Sequence, residues 1–591
     1  MSRYQPPLED ISFALNHIAD LEQVAKLNGF QHADPATVAD ILDEAGRFFS
    51  EVIAPLNKVG DEQGSRLADD GVVTPQGFKD AYTKYVESGW ASAHFPEEWS
   101  GGGLPYTVGI VIQEMFKTSN MAFSLCAMLT HGAVDALLEH GTEDQKQQYL
   151  EKLATGEWSG TMNLTEPEAG SDVGALRTRA ERQDDGTYRI FGTKIFITWG
   201  DQDLTENVIH LVLARTPDAP AGTRGISMFI VPKLILDEKG QPSEANDIKI
   251  VSLEHKLGIH ASPTCVVSFG DAGNGAVGFL LGEEQKGMRN MFTMMNGARI
   301  GVGLEGLAIT ERAFQLANAY AHERIQGRKT GSDSSDDVPI VEHPDVRRML
   351  LTMKSYGQAM RALLYLTAAE SDFADHAEDA DRRKLAADRV AVFTPIVKAW
   401  CTDVGVAMAS LGLQVHGGMG YVEETGAAQH YRDSRIAPIY EGTNGIQAID
   451  LLTRKLTIDN GEVVAGLIAT MSDVLGEMER FPELEHFRTE LASAVDGLEE
   501  TSKWLLERLE AGTIDDALAG ATPYLEQFGT VLGGWLMARS AVAALNTGQQ
   551  SDFTRDKVIT ARFYGEHLLP RAAGLLATVT GGSTLMDQAV L

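Results

Sequence analysis

The chain has 591 residues, of which 43% are hydrophobic and 23% charged, and its formal net charge is −33. A chain of this length and apolar content can bury large cores, and it predicts three or four domains rather than one. The strongly negative surface repels phosphate backbones and anionic lipids, which argues against nucleic-acid and membrane-surface partners.

The cysteines and the N-terminus bear on the compartment. Cys126, Cys265 and Cys401 are odd in number and form no close pair, which argues against a disulfide framework and a cysteine zinc site. No cluster of side chains has the spacing of metal ligands, so no metal is expected. The N-terminus lacks the apolar core of a signal peptide, and no run approaches the roughly 18 apolar residues of a membrane span. We therefore predict a soluble, cytoplasmic protein.

Hydrophobic periodicity divides the chain into five consecutive segments. The predicted domains are an N-terminal helical extension (1–34), an N-terminal helical domain (35–157), a middle β domain (158–275), a C-terminal helical bundle (276–458) and an additional helical domain (459–591). The predicted fold class is a multidomain α+β protein.

Shorter runs predict individual elements inside these segments. Residues 188–192, 208–213 and 228–231 are rich in β-branched and aromatic residues between turn residues, which is typical of strands. Residues 330–339 are mostly small and polar and predict a solvated loop.

The segment 161–174, with the sequence TMNLTEPEAGSDVG, opens the predicted β domain. Its small residues allow a backbone to approach a flat polar ligand closely. Thr165 and Ser171 offer hydroxyl groups for hydrogen bonds to such a ligand. The alternative is an ordinary surface turn built from turn-forming residues.

A second candidate follows at residues 192–200, with the sequence GTKIFITWG. Residues two apart on a strand lie on the same side, so Phe196 can stack on a ring while Thr198 bonds to its edge. The alternative is an ordinary strand on which Thr198 faces solvent.

The third candidate is Glu441, which follows the apolar run 436–439 and precedes Gly442, Thr443 and Asn444. Such a carboxylate can lie at a buried turn, where desolvation raises its pKa and makes it a proton acceptor near neutral pH. The alternative is a solvated Glu441 ahead of a helix whose N-cap is Thr443 or Asn444.

Seven motifs occur in one order along the chain. They are TEPxAGSD from Thr165, GxKxxIT from Gly192, KLGI from Lys256, RIG from Arg299, RxQ from Arg324, GGMGY from Gly417 and YEGT from Tyr440. Over about residues 40–455 the chain resembles the acyl-CoA dehydrogenase family in the order and spacing of these motifs. The N-terminal extension and the additional helical domain resemble the long bacterial branch of that family.

The resemblance implies FAD as the cofactor. The residues that it assigns to FAD binding are Met162, Leu164, Thr165, Gly170, Phe196, Thr198, Arg324, Gln326, Gln414, Gly417, Gly418, Thr443 and Asn444. Four positions depart from the pattern: many relatives carry Trp at the Phe196 position and Asn at the Trp199 position, and Gly327-Arg328 replaces the usual Phe-Gly. In the family, the Arg324 and Gly417 regions reach the FAD of a neighbouring subunit, which implies at least a homodimer.

The resemblance also implies a mechanism. Glu441 would remove the α-proton of an acyl-CoA thioester as the β-hydride leaves for flavin N5, giving the trans-2-enoyl-CoA. Some relatives carry the base one position before the Arg of the RIG motif, but that position is Ala298 here, which cannot accept a proton. The substrate-side residues implied are Ser171, Asn296, Arg299, Tyr440 and Gly442. His255, His260 and His416 are expected to be structural, because this chemistry needs no second acid.

The resemblance leaves alternatives for the substrate and for the electron acceptor. An electron-transfer flavoprotein is the expected acceptor, and the alternative is an acyl-CoA oxidase that uses O2. 3-Methylmercaptopropionyl-CoA, from dimethylsulfoniopropionate breakdown, is one candidate substrate, and the fatty acyl-CoA of β-oxidation is the other. A third possibility, a flavin-holding module that guards DNA, would need a basic C-terminal domain, whereas residues 459–591 are acidic.

Overall fold

A computed structural model describes residues 4–331, 333–548 and 551–590. The chain forms two compact units. The helical unit comprises Met1–Arg47, Pro105–Thr118 and Arg299–Leu591, and the β unit comprises Phe48–Leu104 and Ser119–Ala298. The predicted domain boundaries stay predictions, since this division follows spatial contacts rather than the order of the chain.

Helices occur in both units. In chain order the α-helices are α1 (Leu8–His17), α2 (Leu21–Val24), α3 (Pro35–Phe48), α4 (Leu56–Gln63), α5 (Phe78–Glu87), α6 (Tyr106–Ser119), α7 (Met121–His140), α8 (Glu143–Thr155), α9 (Gly287–Glu323), α10 (Pro344–His376), α11 (Ala380–His416), α12 (Ala427–Ser434), α13 (Asn444–Asp450), α14 (Glu462–Met478), α15 (Glu485–Glu510), α16 (Ile514–Ala519), α17 (Ala521–Asn546), α18 (Asp552–Phe563), α19 (Arg571–Val579) and α20 (Thr584–Gln588).

Most strands belong to the β unit. In chain order they are β1 (Arg66–Ala68), β2 (Gly71–Val73), β3 (Ser159–Asn163), β4 (Arg179–Arg182), β5 (Tyr188–Thr198), β6 (Val208–Arg215), β7 (Ile226–Pro232), β8 (Leu234–Leu236), β9 (Pro242–Ala245), β10 (Ile248–Leu253), β11 (Thr264–Phe269), β12 (Ala276–Leu280), β13 (Ile325–Arg328) and β14 (Asp337–Pro339).

The main sheet of the β unit has the order β10-β11-β5-β12-β7-β6-β3, and β4 pairs with both β5 and β6. β4 therefore closes β5, β12, β7 and β6 into a ring. An apolar core lies among these strands and includes Ile190, Val212, Phe229 and Val231. This core fixes the register of each strand, because a one-residue slip would turn its apolar side chains outward.

The end of β5 carries one of the predicted sites. Its register with β11 shifts between Cys265 and Val267, which marks a β-bulge, and Phe196 has a φ of +59°. Beyond the bulge, Ile197 and Trp199 are buried, whereas Phe196 is exposed and Thr198 is half-buried. Phe196 and Thr198 therefore both lie on the less buried side, as predicted, although Phe196 lies in the bulge rather than in a regular strand.

The helical unit is built around long apolar helices. α10 and α11 pack along each other, and α17 contacts both of them. α17 is almost wholly buried and apolar on all sides, as expected of a helix surrounded by other helices. The additional C-terminal helices thus share one core with the bundle.

A buried ionic cluster joins distant parts of the helical unit. Arg361 donates to Asp10, to Glu114 at 2.7 Å and to Glu311 at 3.0 Å, and Lys557 donates to Asp10. Asp10 lies on α1, Arg361 on α10 and Lys557 on α18. The cluster links the N-terminal extension, the bundle and the additional helical domain through charges that are hidden from water.

Three of the described helices are long and apolar enough to cross a membrane, by length and composition alone. They lie in Met121–His140, Ala380–Tyr421 and Ala521–Asn546, and their apolar windows are 89%, 67% and 83% buried inside the protein. The expectation from the sequence concerned uninterrupted runs of about 18 apolar residues, whereas these helices qualify by mean hydropathy, because a core helix and a spanning helix have similar compositions.

The fold class predicted from the sequence is confirmed, and two local predictions are corrected. Asp337–Pro339, predicted as loop, forms strand β14, which pairs with β13. The hairpin of β1 and β2 lies in a segment predicted as helices only. Strands of three residues are too short to show the alternating pattern that identifies longer ones.

Candidate active site

Glu441 lies in a tight turn between α12 and α13. Glu441 has a φ of +54° and Gly442 a φ of +83°, so two successive residues adopt the left-handed conformation. This conformation costs a residue with a side chain about 1–2 kcal/mol, and such strain persists only where the surroundings enforce it. The Glu441 side chain is half-buried. The strain and the burial together mark this turn as a candidate functional site.

Two side chains hold the backbone of this turn. Arg299 Nε donates to the Glu441 carbonyl at 3.4 Å, and Gln447 Nε2 donates to the carbonyls of Glu441 at 3.4 Å and Gly442 at 3.3 Å. Arg299 is only 7% exposed. Arg299 was predicted on the substrate side, and the structure gives it a contact with the main chain of Glu441.

The charges around Glu441 act in opposite directions. Burial raises the pKa of Glu441, and the positive charges of Arg299 and Lys398 oppose that rise without cancelling it. Burial likewise lowers the pKa of Lys398 to about 8, against the pull of Glu441 and Glu305. A carboxyl with a raised pKa is a stronger base once it is ionised, as proton abstraction requires.

Tyr440, predicted on the substrate side, directs its hydroxyl toward the protein interior. Tyr440 Oη donates to Glu305 Oε2 at 2.5 Å. Glu305 lies on α9 and is 1% exposed, and burial raises its pKa to about 7. Lys117 Nζ lies 3.8 Å from the other oxygen of Glu305.

Glu305, Lys117 and Lys398 were not predicted as site residues. A signal was available, since Glu305 interrupts the apolar run 300–309 and Lys398 interrupts the apolar run 392–401. A charge inside a buried helical stretch requires a partner. The sequence does not say which distant residue that partner is.

The residues after Glu441 begin α13. Thr443 is the N-cap, and its hydroxyl accepts from Ile446 N at 3.3 Å. Asn444 uses its side-chain amide inside the helical unit, accepting from Lys398 Nζ at 2.8 Å and donating to Thr402 Oγ1 at 3.0 Å. The alternative from the sequence was thus right about the cap and wrong about a fully solvated Glu441. The cofactor contacts of Thr443 and Asn444 stay predictions.

In the β unit, the TEPxAGSD segment forms a loop organised by a buried ion pair. Glu166 accepts from Lys194 Nζ at 2.9 Å, from Arg177 N at 2.6 Å and from Thr178 N at 3.0 Å. Lys194 also donates to the Leu164 carbonyl at 3.0 Å. Burial works against the charge of Glu166, but Lys194 and these hydrogen bonds outweigh it and lower the Glu166 pKa.

The same loop carries the predicted flavin-side residues of the β unit. Ile195 N donates to the Thr165 carbonyl at 2.9 Å, and Thr161 Oγ1 donates to the Thr198 carbonyl at 2.7 Å. These two bonds bring the end of β3 and the loop against the end of β5. Met162 is buried, Leu164 and Thr165 are half-buried, and Gly170 and Ser171 are exposed.

Other predicted residues lie on exposed parts of their units. Arg324 lies just before the exposed strand β13, and its Nη2 donates to Gln326 Oε1 on that strand at 2.8 Å. Gln414, Gly417 and Gly418 lie at the exposed end of α11. The exposed apolar residues Met419, Tyr421 and Val422 follow directly.

The remaining predicted residues differ in environment. Asn296 is exposed on α9, whereas Ala298 is buried. His260 contacts the carbonyls of Asp61 and Lys256, and His416 contacts the carbonyl of Gly412. These main-chain contacts agree with structural roles for the two histidines. Among the described residues, no three potential ligands are grouped to hold a metal ion.

Four family models match consecutive parts of the chain. They describe the acyl-CoA dehydrogenase N-terminal domain over residues 36–157, the middle domain over 161–272 and the C-terminal domain over 285–456, followed by an acetyl-CoA dehydrogenase C-terminal-like domain over 466–588. The chain therefore belongs to the acyl-CoA dehydrogenase family, whose members are FAD-dependent oxidoreductases.

Within that family the chain is similar to proteins along its whole length. It is 45% identical to a 3-methylmercaptopropionyl-CoA dehydrogenase from Ruegeria pomeroyi, over 99% of this chain and 100% of the relative. It is 34% identical to a butyryl-CoA dehydrogenase from Syntrophomonas wolfei, over 98% of this chain and 97% of the relative. Both the family resemblance and the long branch predicted from the sequence are confirmed.

A solved structure shows the same fold. The Caenorhabditis elegans ACDH-11 structure in complex with C11-CoA matches 100% of this chain and 97% of its own chain, with a TM-score of 0.77. Its sequence identity is 21%, so this likeness establishes the fold alone.

Proposed function

We propose that Glu441 removes the α-proton of an acyl-CoA thioester during its α,β-dehydrogenation. The observation that carries the proposal is the Glu441 turn: a half-buried carboxyl with a raised pKa, held in a strained conformation by Arg299 and Gln447. A strained, partly desolvated base fits a function better than it fits stability.

The main chain of the turn supplies a second part of the chemistry. The N–H of Glu441 donates no hydrogen bond to any residue that the structure describes. A thioester carbonyl that accepted from this N–H would place its α-carbon near the Glu441 carboxyl. Fixed donors at such a position are typically worth about 3–4 kcal/mol to the transition state, because negative charge develops on that oxygen.

The residues present fit the FAD of the family. Phe196 is 57% exposed and offers a ring face at the end of β5. It lies beside the backbone of the TEPxAGSD loop, residues 165–172, which we call the Thr165 loop. Arg324 is exposed just before β13, and Arg pairs well with pyrophosphate oxygens. When bound, FAD supplies the acceptor for the hydride that leaves the β-carbon. The residues of the chain would bind and orient it, and Glu441 would handle the proton.

The proposed substrate is 3-methylmercaptopropionyl-CoA, with a fatty acyl-CoA as the alternative. The support is the full-length similarity to a dehydrogenase named for the first substrate, which exceeds the similarity to butyryl-CoA dehydrogenases.

We further propose an electron-transfer flavoprotein as acceptor, a homodimer as the working form, cytoplasmic localisation and a role in dimethylsulfoniopropionate catabolism. The exposed Arg324 and Gly417 regions and the apolar residues Met419 and Tyr421 beside Gly417 support the dimer.

Replacement of Glu441 by Gln tests the base. The amide keeps the shape but cannot accept the proton, so we expect anaerobic flavin reduction by acyl-CoA to slow by at least about 1,000-fold. FAD content, measured by visible absorbance, should stay normal. Glu424→Gln makes the same chemical change at an exposed position and is the matched control, which should leave the rate unaltered. Near-normal reduction of the flavin in Glu441→Gln would reject the proposed base.

A panel of thioesters tests the substrate. 3-Methylmercaptopropionyl-CoA, butyryl-CoA and palmitoyl-CoA are each mixed with the wild-type protein, and the rate of flavin bleaching is followed without oxygen. The proposal expects the first to react with the highest kcat/KM. Preference for either fatty acyl-CoA would transfer the assignment to β-oxidation, and stoichiometric hydrogen peroxide release in air would indicate an oxidase.

A further inference from the structure

We propose that Glu305 is a positioning residue for this reaction. Through the hydroxyl of Tyr440 it holds the turn that carries Glu441, and its charge sets the pH at which Glu441 becomes a base. The inference rests on the proposed function of Glu441 and extends it to a residue that none of the seven sequence motifs contains.

The geometry links Glu305 to the turn by one short path. Glu305 Oε2 accepts from Tyr440 Oη at 2.5 Å, and Tyr440 is the covalent neighbour of Glu441. Tyr440 N donates to the Ile436 carbonyl at 3.2 Å, so its main chain is also fixed. A tyrosine anchored at both ends limits the freedom of the strained residue that follows it.

Glu305 has a second oxygen without a hydrogen-bond donor. No described residue donates to Glu305 Oε1, and Lys117 Nζ lies 3.8 Å from it. Glu305, Lys117 and Lys398 are all at most 2% exposed. In such a dry environment a charge acts strongly on its neighbours, because little water screens it.

The charged groups around the pair come from several elements. Three helices contribute five of these groups: Lys117 on α6, Arg299 and Glu305 on α9, and Lys398 and Asp403 on α11. The chain after α12 contributes the others, which are Tyr440, Glu441, Asp450 and Arg454. Lys398 attracts both Glu305 and Glu441, and Asp403 attracts Lys398. Asp450 and Arg454 act on Arg299.

Two carboxyls in this arrangement titrate as a coupled pair. Burial raises the pKa of Glu305 to about 7, against the opposing effects of Lys117, the Tyr440 hydroxyl and Lys398, and the negative charge of Glu441 makes a smaller contribution to the rise. By reciprocity, an ionised Glu305 makes ionisation of Glu441 harder. Glu305 therefore changes charge near neutral pH, beside a Glu441 whose own pKa is raised by burial.

Glu305→Gln separates charge from geometry, because the amide oxygen still accepts from Tyr440 while the negative charge is gone. The rate of anaerobic flavin reduction is measured against pH with the best thioester of the panel. In the plot of rate against pH, the rate rises from low pH along an acidic limb to a plateau. We expect this acidic limb to move to lower pH by about 0.5–1 unit in Glu305→Gln, with little change in the plateau rate. At the midpoint of the wild-type limb, this shift corresponds to a rate up to about twofold higher, and the relative gain grows toward lower pH.

Tyr440→Phe makes the complementary change, since it removes the hydrogen bond and keeps the charge of Glu305. We expect the plateau rate to fall by about tenfold, because the turn is no longer anchored and Glu441 is misplaced. FAD absorbance and the melting temperature show whether each variant is folded. If Glu305→Gln does not fold, Tyr440→Phe decides the positioning part of the proposal.

Asp372→Asn is the matched control. Asp372 is also a buried carboxyl with a pKa raised by burial, to about 6, but it accepts from Tyr106 N and Thr107 N at the start of α6. Ten residues of helix, or about 15 Å, separate Thr107 from Lys117. The acidic limb of the pH–rate curve of Asp372→Asn should therefore coincide with that of the wild type.

The outcomes separate this inference from the proposed function. A folded Glu305→Gln whose limb stays in place or moves to higher pH overturns the charge effect, and a normal plateau in Tyr440→Phe overturns the anchoring. Glu441→Gln is measured alongside. If that variant still reduces its flavin normally, the proposed function itself fails; if it is inactive while Glu305→Gln shows no shift, only the role of Glu305 fails.

Discussion

At the scale of single residues, Gly442 is the position at which shape matters most. A Cβ at Gly442 would lie 2.7 Å from Gln447 Nε2, and the φ of +83° disfavours any other residue. A side chain at Gly442 would therefore have to displace the Gln447 amide that holds the turn.

Gly442→Ala should consequently damage activity more than stability. The left-handed conformation costs alanine about 1–2 kcal/mol, and a displaced Gln447 would release the carbonyl of Glu441, lowering kcat/KM by at least about tenfold. Steady-state kinetics and thermal unfolding measure the two effects. Gly445→Ala, in the first turn of α13 where a Cβ meets nothing closer than 3.9 Å, is the control and should leave both unchanged. Equal kinetics for the two variants would contradict the packing argument.

At the scale of elements, the Thr165 loop depends on one ion pair rather than on a core of its own. Lys194 is fully buried, and its pKa falls to about 8 through burial, against the attraction of Glu166. Removing one partner of such a pair leaves an unpaired buried charge.

Lys194→Met should therefore loosen the loop. The loss of one partner of a buried pair typically costs about 3–5 kcal/mol, and each 1.4 kcal/mol of local opening raises cleavage by about tenfold when opening is fast. Limited trypsin digestion should cut faster after Arg177, whose N–H donates to Glu166, and FAD retention should fall. Lys249→Met, on β10, removes an exposed partner of Asp271 and is the control. It should change neither the cleavage after Arg177 nor the retention of FAD. Unchanged cleavage after Arg177 would show that the loop is held by other contacts.

At the scale of the whole molecule, the ionic cluster ties the N-terminal extension and the additional domain to the bundle. Burial works against the charge of Asp10, but Lys557 and Arg361 outweigh it and lower the Asp10 pKa. A carboxyl whose pKa is lowered by folding stabilises the fold at pH values above its ordinary, unfolded-state pKa. This stabilisation is lost as the pH falls through the pKa of the folded state. The window of loss therefore lies below about pH 4.

Asp10→Asn should lower stability near neutral pH by about 3–5 kcal/mol, because Arg361 and Lys557 lose a counter-charge. The difference from wild type should shrink below about pH 4, and adding Lys557→Met should restore part of the loss. Thermal unfolding across pH measures this. Glu22→Gln, which breaks an exposed pair with Lys26, should cost less than about 1 kcal/mol. A constant difference down to about pH 3 would contradict the assigned sign.

Much of the fold was predictable because its long elements repeat a pattern. The order of helices, β domain and helices follows from periodicity, and the alternation at Phe196 and Thr198 places both on one face. The β13–β14 hairpin was missed because strands of three or four residues carry no usable period.

The site was predictable only in part. Glu441 and its neighbours form a short contiguous motif, so the sequence alone indicated a carboxylate at a buried turn and the family that uses it. Glu305, Lys117 and Lys398 come from three separate helices, and no local rule pairs them. Only the tertiary structure decided which buried charges meet, because the energy of a buried ion depends on distances between residues far apart in sequence.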